Sequence, residues 1–440
     1  MLTPRPHSHC EDDSLPARTL RRLQRDSFEY FVREINPING LVLDKTASNW
    51  PASIAAMGMA LSAYPVGVKR GFMKRAEAGQ RTLRMLNFLA ASEQSKAVTA
   101  SGYRGFYYHF LDMRNGRREW SCELSSIDTA LLMAGVLLAG VYFDGASAEE
   151  TQIRERSRAL YERVDWAWML NDQETLCHGW RPEHGFLPYH WQGYDEALIL
   201  YLLALGSPTH PIAPRCYEAW CRSYQWKRIY EIEFLYAGPL FIHQMSHLWC
   251  DLRGLRDRFM RERDCDYFEN SRRATLIQQQ YAIRNPLGFA QVGEWCWGVT
   301  ASDGPGNATK VIDGVQRMFY DYLARGAPYG PDDGTVAPWA VAASLPFAPE
   351  IVAPTIAHMK ALPVHVHNPY GFKASFNPVF PGDAHESVGW VSPFHFGINE
   401  GPTILMIENH RTGLIWSLMQ QCDALRAGLR AAGFTGGWLN

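Results

Sequence analysis

The chain has 440 residues and a formal net charge of -2, from 43 basic and 45 acidic residues spread along it. Apolar residues make up 47% and charged residues 20%, which is enough hydrophobic material for a large buried core and argues against a disordered chain. A charge so evenly balanced provides no long-range field to attract nucleic acid or an anionic membrane surface. We therefore expect a neutral partner, and neither nucleic acid nor a membrane.

The cysteines and the N-terminus indicate the compartment. The nine cysteines are odd in number, scattered and free of CxxC pairs, so we predict reduced, packed thiols rather than disulfides or a zinc knuckle. Residues 1–16 are polar and lack the apolar stretch of a signal peptide, and no later run is long enough to span a membrane. We expect 1–16 to form a disordered or loosely attached arm. The protein is expected to be cytoplasmic, or periplasmic if a leader was removed. The cysteines are Cys10, Cys122, Cys177, Cys216, Cys221, Cys250, Cys265, Cys296 and Cys422.

Helical periodicity begins directly after this arm, where apolar residues in LRRLQRDSFEYFVREIN recur at spacings of three and four. The pattern returns in RTLRMLNFLAAS, SSIDTALLMAGVLLAGVYF, EETQIRERSRALYERVDWAWML, GYDEALILYLLALG, SHLWCDLRGLRDRF, ENSRRATLIQQQYAIR and NATKVIDGVQRMFYDYLAR. Strand-like alternation is scarce and short. No composition break divides the chain, so we predict an all-α fold, an (α/α)6 barrel, as a single domain over residues 17–440.

The segments between these helices are long and rich in Gly, Pro and aromatic residues, as in LCHGWRPEHGFLPYHWQ and NPYGFKASFNPVFPGDAHESVGWVSPFHFGINEGP. Ordered loops of this length on a helical scaffold usually carry function. Aromatic residues reach 13% of the chain, and their faces are platforms for the C–H faces of sugar rings, although a large aromatic core would use the same residues.

The first candidate site is the start of the helix predicted in GYDEALILYLLALGSPTHP. An apolar stripe runs through Leu198 to Leu205, and Gly206 is suited to a left-handed stop before two prolines. Asp195 and Glu196 then lie at the helix start. The helix dipole alone can explain carboxylates there, but the neighbouring Trp191, Tyr194 and His190 favour a ligand-facing site with Glu196 as proton donor.

The second candidate site is WSCELSSIDTALLMAGVLLAGVYF. Ser125 or Ser126 can cap the helix, which places Glu123 just before it and Asp128 in its first turn. Inner helices of a barrel can bring such ends together, so either carboxylate could oppose Glu196 across a cleft, as glycoside hydrolysis requires. Asp128 alone could equally serve the helix dipole.

Other catalytic signals are weak. His243, His247 and Asp251 have helical spacing, but HxxxH without the following Glu is a poor metal signature. There is no GxSxG elbow, P-loop or GxGxxG motif, so a serine hydrolase, an NTPase and a dinucleotide enzyme have no support. We expect no metal and no cofactor.

Several of these motifs together resemble the bacterial glycoamylase-like domain, which includes endo-β-1,2-glucanases and the cyclisation domain of cyclic β-1,2-glucan synthases. The resemblance runs in order from about Leu20 to Trp416, through DSFEYFVREINPINGL, GFYYHFLD, SSIDTALLMAG, GYDEALILYLLALGSPTHP, WGVTASDGPG, DDGTVAPWAVAASLPFAPE and GINEGPTILMIENHRTGLIW. It implies an (α/α)6 barrel and β-1,2-linked glucan as the saccharide substrate. The substrate-binding residues that we predict on these motifs are His109, Tyr194, Trp297, Asp303, His395 and Glu400.

The resemblance also implies that Glu196 acts on the glycosidic oxygen. The glucanases carry an acidic pair three residues apart at the other helix start, where this chain has Ser125 and Asp128. One expected carboxylate is therefore absent, and Asp128 and the displaced Glu123 are the candidates for the second group. The cyclisation domains resemble the chain more closely here, with a Glu ahead of the serines, and they act by retention.

We expect hydrolysis rather than transglycosylation, because a free-standing chain has no attached synthase to supply a growing glucan. The alternatives are a retaining transglycosylase, with Glu123 as nucleophile and Glu196 as acid/base, and a non-catalytic glucan-binding protein. A helical-barrel epimerase or terpene cyclase has no motif of its own here.

Overall fold

The computed structural model describes residues 15–363, 368–382 and 389–440. Helices dominate the chain and are joined by short 3-10 turns at Trp168–Leu170, Leu240–His243, Met245–Leu248 and Gly437–Leu439. The α-helices are α1 (Leu15–Arg33), α2 (Ile54–Arg70), α3 (Arg75–Ala91), α4 (Ser126–Tyr142), α5 (Ala148–Glu162), α6 (Leu198–Leu205), α7 (Pro214–Cys221), α8 (Arg258–Glu262), α9 (Tyr267–Arg284), α10 (Pro338–Ala343), α11 (Pro349–Ala361), α12 (Gly397–Arg411), α13 (Leu414–Met419) and α14 (Asp423–Ala431).

The strands in the described residues are two to five residues long and pair in small antiparallel sheets. They are β1 (Ala52–Ser53), β2 (Gly102–Tyr103), β3 (Phe106–Tyr107), β4 (Phe110–Leu111), β5 (Leu124–Ser125), β6 (Gly179–Arg181), β7 (Gly185–Phe186), β8 (Trp226–Ile229), β9 (Ile232–Leu235), β10 (Leu255–Arg256), β11 (Ala301–Ser302), β12 (Ala308–Ile312), β13 (Val315–Phe319), β14 (Leu323–Ala324), β15 (Phe376–Asn377), β16 (Trp390–Val391) and β17 (Thr435–Gly436). The prediction of a mostly helical chain whose strands are short is confirmed.

Four helices are buried to the degree expected for an inner ring of helices. In α2 every residue from Ile54 to Gly67 is buried, and α4, α6 and α12 are buried on nearly all faces, as expected for helices enclosed by others. Helices α2 and α4 approach so closely that a side chain at Gly58 would lie 2.3 Å from the carbonyl oxygen of Leu131, and one at Gly135 would lie 2.2 Å from that of Gly58. Glycine at these two positions is what allows the contact.

The helices pack in a closed succession. Helix α2 packs on α4 and α12, α4 on α6, and α10 on α12, while the 3-10 turn Met245–Leu248 contacts both α6 and α12. The side-chain amide of Gln244 donates to the Ala340 carbonyl, 2.6 Å away, and so ties this turn to α10. Helices α1, α3, α5, α11 and α14 cover the outside. The full arrangement of six inner and six outer helices stays a prediction.

Two predicted helices are wrong. In NATKVIDGVQRMFYDYLAR, Asp313 and Gly314 both have positive φ, 51° and 78°, and form the two-residue turn of the β12–β13 hairpin. An Asp-Gly pair favours such a turn, and this local signal outweighs the apolar spacing. In SHLWCDLRGLRDRF, Gly254 adopts φ 70° and breaks the chain into a 3-10 turn, β10 and α8. The helices that were not predicted are α2, α7, α10, α11, α12, α13 and α14.

Smaller corrections concern the ends of elements. Helix α6 begins at Leu198, so Asp195 and Glu196 lie in the turn before it rather than within it. Gly206 follows α6 but has φ -84°, so the predicted left-handed stop is wrong. A side chain there would lie 1.9 Å from the Ala424 carbonyl oxygen, so Gly206 instead permits contact with α14. Helix α5 ends at Glu162, earlier than predicted.

The remaining predictions about the whole chain have mixed outcomes. Residues 1–14 of the predicted arm lie outside the described residues, and α1 already begins at Leu15. The eight cysteines that the structure describes are unpaired thiols, seven of them buried, and Cys10 lies outside that part. Over 15–363, 368–382 and 389–440, no helix combines the length and apolar character needed to cross a bilayer.

Candidate active site

A cavity of about 400 Å³ lies where the inner helices begin. Its wall comes from the starts of α2, α4, α10 and α12 and from the turn before α6. This volume is typical of small-molecule sites. The lining includes three carboxylates, Asp44, Asp128 and Glu196, and the rings of Trp50, His109, Phe110, Phe241, Tyr322, Trp339 and Phe396. A larger cavity, of about 650 Å³, lies at the opposite ends of α4 and α6, and none of these three carboxylates lines it.

Glu196 and its neighbour Asp195 point to different surroundings. Asp195 accepts a hydrogen bond from the indole N–H of Trp220, 3.0 Å away, and one from the backbone N–H of Ala197. Glu196 lines the cavity instead. Burial, with a smaller contribution from the charge of Asp128, raises the pKa of Glu196 from its ordinary value of 4.5 to about 7. A carboxyl group with that pKa can hold a proton near neutral pH.

Asp128 is fixed in the first turn of α4 by the helix cap. The Ser125 hydroxyl accepts the backbone N–H of Asp128 and donates to its Oδ2 at 2.5 Å. Of the two serines predicted as possible caps, Ser125 is the N-cap residue and Ser126 is the first residue of the helix. Nε2 of His109 lies 3.6 Å from Oδ2 of Asp128. Ser125, which stands where the resemblance leads us to expect a carboxylate, therefore holds the Asp128 carboxylate in place.

Glu123 lies behind His109, away from the cavity. Its Oε1 accepts from His109 Nδ1 at 3.1 Å, and its Oε2 lies 3.6 Å from the Arg181 guanidinium. Burial opposes ionisation, but the hydrogen bond and charge of His109 prevail and lower the pKa of Glu123 to about 2. Burial likewise opposes the charge on His109, but Asp128 and Glu123 raise its pKa to about 9. The structure brings Glu196, Asp128 and His109 to one cavity wall, and Glu123 is not among the described residues that line it.

Two predicted aromatic ligands pack elsewhere. The ring of Tyr194 lies against Tyr224, His243 and Tyr267 rather than in the cavity wall. Trp297 is fully buried, and its indole N–H donates to the Thr355 hydroxyl at 3.1 Å. Trp297 was predicted to bind substrate, but its side chain is fully buried beside Thr355 of α11 and does not line the cavity.

Three further predicted residues lie behind the cavity. Asp303 accepts a hydrogen bond from the Ser392 hydroxyl at 2.7 Å, and burial raises its pKa. His395 and Glu400 are buried together with Nδ1 and Oε1 2.9 Å apart, on either side of cavity-lining residues at the start of α12. Burial raises the pKa of Glu400 well above its ordinary value. These groups can support the wall without lining it.

The two histidines considered for a metal site have protein partners. Nε2 of His243 lies 3.2 Å from the Ala237 carbonyl, and Nε2 of His247 lies 3.0 Å from the Ser271 hydroxyl. Burial lowers the pKa of both rings, to about 4 for His243 and about 3 for His247. The described part of the chain contains no group of His, Cys, Asp or Glu side chains arranged to hold a metal ion.

Sequence reasoning missed the loop before β1. Asp44 lines the cavity and accepts a hydrogen bond from the Trp50 indole at 3.0 Å. Burial raises the pKa of Asp44 to about 6. The Lys45 ammonium lies 4.1 Å from the centroid of the Trp50 ring. The available signal was the sequence DKTASNWP, a carboxylate, a cation and a tryptophan in one loop without helical periodicity. Tyr322, 58% exposed at the cavity mouth, was also missed.

A helical ring that gathers carboxylates into one aromatic-walled cavity is an arrangement suited to glycoside hydrolysis, in which one carboxyl group acts as acid and another as base or nucleophile. The Glycoamylase family model matches residues 188–423, more than half of the chain. The chain belongs to the glycoamylase family.

Similar proteins of known structure or function agree with this assignment. The exo β-1,2-glucooligosaccharide sophorohydrolase (non-reducing end) of Parabacteroides distasonis is 28% identical, over 93% of this chain and 57% of its own length. The endo-β-1,2-glucanase of Chitinophaga pinensis, solved with sophorotriose and glucose, is 25% identical with a TM-score of 0.84, over 97% of this chain and 100% of that one. A β-1,2-glucanase structure from Parabacteroides distasonis is 26% identical with a TM-score of 0.82, over 96% and 60% of the two chains. The chain thus spans less than two thirds of its curated relative.

Proposed function

We propose that this protein is a glycoside hydrolase that cleaves β-1,2-linked glucan, with Glu196 as general acid and Asp128 as general base. The observation that carries the proposal is that Glu196, with its raised pKa, and Asp128 line the same aromatic-walled cavity. The substrate class is taken from the similar proteins, which act on β-1,2-glucans or their oligosaccharides.

The reaction needs one proton delivered and one removed. The protonated Glu196 donates its proton to the glycosidic oxygen while the bond from that oxygen to the anomeric carbon breaks. A water molecule forms the new bond to the anomeric carbon from the opposite face and releases a proton to Asp128, directly or through a substrate hydroxyl. The products are two saccharides, and the new reducing end has inverted configuration.

The surroundings of Asp128 support its role as base. The Ser125 hydroxyl donates to Oδ2 of Asp128, and Nε2 of His109 lies 3.6 Å from the same oxygen, so both groups orient the carboxylate at the cavity wall. Glu123 in turn orients His109 from behind. In this arrangement Glu123 is a positioning residue, because its carboxylate is engaged by His109 and Arg181 and does not line the cavity. A retaining transglycosylase with Glu123 as nucleophile is therefore the less favoured alternative.

The anomeric form of the first product tests the mechanism. Proton NMR during incubation with linear β-1,2-glucan should show the α-anomer first, because an inverting enzyme converts a β-linkage into an α-hemiacetal. The β-anomer appearing first, with glucan transfer to added sugar acceptors, would favour the Glu123 mechanism. For substitutions of the two proposed catalytic carboxylates, Glu196 and Asp128, a suitable control is Glu77→Gln, which lies on the outer helix α3. Absence of any hydrolysis, with retained glucan binding, would favour a non-catalytic binding protein.

A further inference from the structure

A second cavity, of about 430 Å³, adjoins the proposed active site and has no role in the chemistry above. Trp50 lines both cavities, so the two adjoin at this residue. The other residues of this second cavity are Asn49, Pro51, Asp112, Met113, Arg114, Glu119 and Trp120. A ligand that extends from the active site past Trp50 would enter this space.

Aromatic rings continue from one cavity into the other. Phe110, in the active-site wall, stacks on His109 with ring centroids 4.0 Å apart and an interplanar angle of 11°. The ring of Trp120 packs against Phe110 at 5.0 Å and edge-to-face against Trp50 at 4.7 Å. Trp120 is nevertheless 51% exposed. It therefore presents a large apolar surface to solvent at the far end of a continuous aromatic wall.

The backbone holds Trp120 in this position. Trp120 and Ser121 both have left-handed backbone conformations, with φ of 51° and 48°, which are unfavourable for residues other than glycine. The buried Arg118 side chain fixes the segment, because its guanidinium donates to the carbonyls of Ser121 and Cys122 at 2.8 and 2.5 Å and pairs with Glu183. The loop that precedes Glu123 therefore holds the Trp120 ring in its exposed position.

The polar groups of the second cavity suit a neutral, hydroxyl-rich ligand. Asp112 and Arg114 form an ion pair at 2.9 Å, so neither leaves an isolated charge to recruit a charged partner. Asn49 and Glu119 add hydrogen-bonding groups near the indoles. An aromatic face flanked by such groups is how proteins combine stacking on a sugar ring with hydrogen bonds to its hydroxyls.

We propose that this second cavity, with Trp50 and Trp120 as its platforms, is an outer subsite for glucose units beyond those held in the active site. The occupant is the continuing part of the same glucan chain, because the two cavities share Trp50. The inference rests on the proposed function and adds a length preference: longer glucans gain contacts that the shortest substrate cannot reach.

The test compares a long and a short substrate in the full chain. Trp120→Ala should raise the KM for linear β-1,2-glucan, relative to the KM for the shortest cleaved oligosaccharide, by roughly two- to tenfold, the effect of one aromatic contact. The kcat for the long glucan should change little, because Trp120 lines the second cavity and not the cavity that holds Glu196 and Asp128. Trp120→Phe should recover part of the ratio. Trp295→Ala, a partly exposed tryptophan that lines neither cavity, is the matched control and should leave the ratio unchanged.

Two results would overturn the subsite. One is an unchanged ratio in Trp120→Ala, and the other is an equal shift in the Trp295→Ala control. Calorimetric binding of long glucan to Glu196→Gln, with and without Trp120→Ala, repeats the comparison without turnover and should show the same fold-change. Failure of the proposed function is distinguishable, because the wild-type protein would then cleave neither substrate.

Discussion

Replacing Glu196 by Gln should increase stability at alkaline pH while greatly lowering turnover. The folded protein holds the pKa of Glu196 near 7, above the value of 4.5 in an unfolded chain. Between these two values the unfolded chain loses this proton first, so wild-type stability falls as pH rises through the interval. Below the lower value both states are protonated and nothing is lost. Glutamine cannot ionise, so the variant does not suffer this loss.

The size of the effect follows from the same values. The difference between 4.5 and about 7 corresponds, at 1.36 kcal/mol per pKa unit, to about 3 kcal/mol at most when the pH is well above 7. Water entering the cavity reduces that figure. Turnover should fall roughly 10²–10⁴-fold, the usual contribution of a general acid, since an amide cannot supply the proton.

The assay is the midpoint of urea unfolding for wild type and Glu196→Gln at pH 5 and pH 8.5. We expect the variant's stability relative to wild type to be greater at pH 8.5 than at pH 5. Glu123→Gln is the matched control of opposite sign: its carboxyl has a folded pKa lowered to about 2, so it stabilises above the unfolded pKa of 4.5 and loses that contribution as pH falls towards 2. This variant should therefore be less stable than wild type at both assay pH values.

A difference between Glu196→Gln and wild type that is the same at both pH values would refute the raised pKa, since Glu196 would then titrate like an ordinary exposed carboxyl group. Retention of most of the wild-type turnover would separately refute its role as acid.

Four further predictions follow from the site and the core. Asp128→Asn should lower kcat roughly 10²–10⁴-fold on β-1,2-glucan with an unchanged circular dichroism spectrum; near-normal kcat would remove Asp128 as base. The kcat/KM of the wild type should fall as pH rises through about 7, where Glu196 loses its proton, and a flat profile up to pH 9 would contradict that assignment. Trp297→Ala should destabilise the protein by about 3–5 kcal/mol in denaturant unfolding, because the ring is fully buried. Loss of glucan affinity at unchanged stability would instead indicate that Trp297 binds substrate. Arg325→Ala should destabilise by about 3–5 kcal/mol, because Arg325 and Asp333 form a fully buried pair at 2.7 Å and the carboxylate would be left without its partner; a change below 1 kcal/mol by calorimetry would argue against that contact.

Local patterns in the sequence were sufficient where the signal was itself local. Ser125 caps α4 and Asp128 lies in its first turn, as the sequence predicted, because a cap involves groups only three residues apart. The apolar stripe before Gly206 does form α6. The same reasoning overlooked the Asp313-Gly314 turn, although that signal is also local, because apolar spacing was given more weight than turn chemistry.

Which carboxylates share a site was decided by tertiary structure. Asp195 and Glu196 are adjacent in the chain, but only packing against Trp220 determines that the first is engaged in the core and the second faces the cavity. Asp44 joins the cavity from a loop with no periodic signal, and Glu123 is withdrawn from it by His109.

The sequence by itself determined that the chain is mostly helical, that residues 198–205 form an apolar helix close to Glu196, and which family the motifs resemble, because these depend on residue order and short-range chemistry. Only the tertiary structure decided that Trp297 is core rather than cleft, and that Trp50 and Trp120 pack edge-to-face beside the proposed active site. The physical reason is that burial depends on contacts between segments distant in the chain, so the residue type alone does not say whether a tryptophan is exposed or buried.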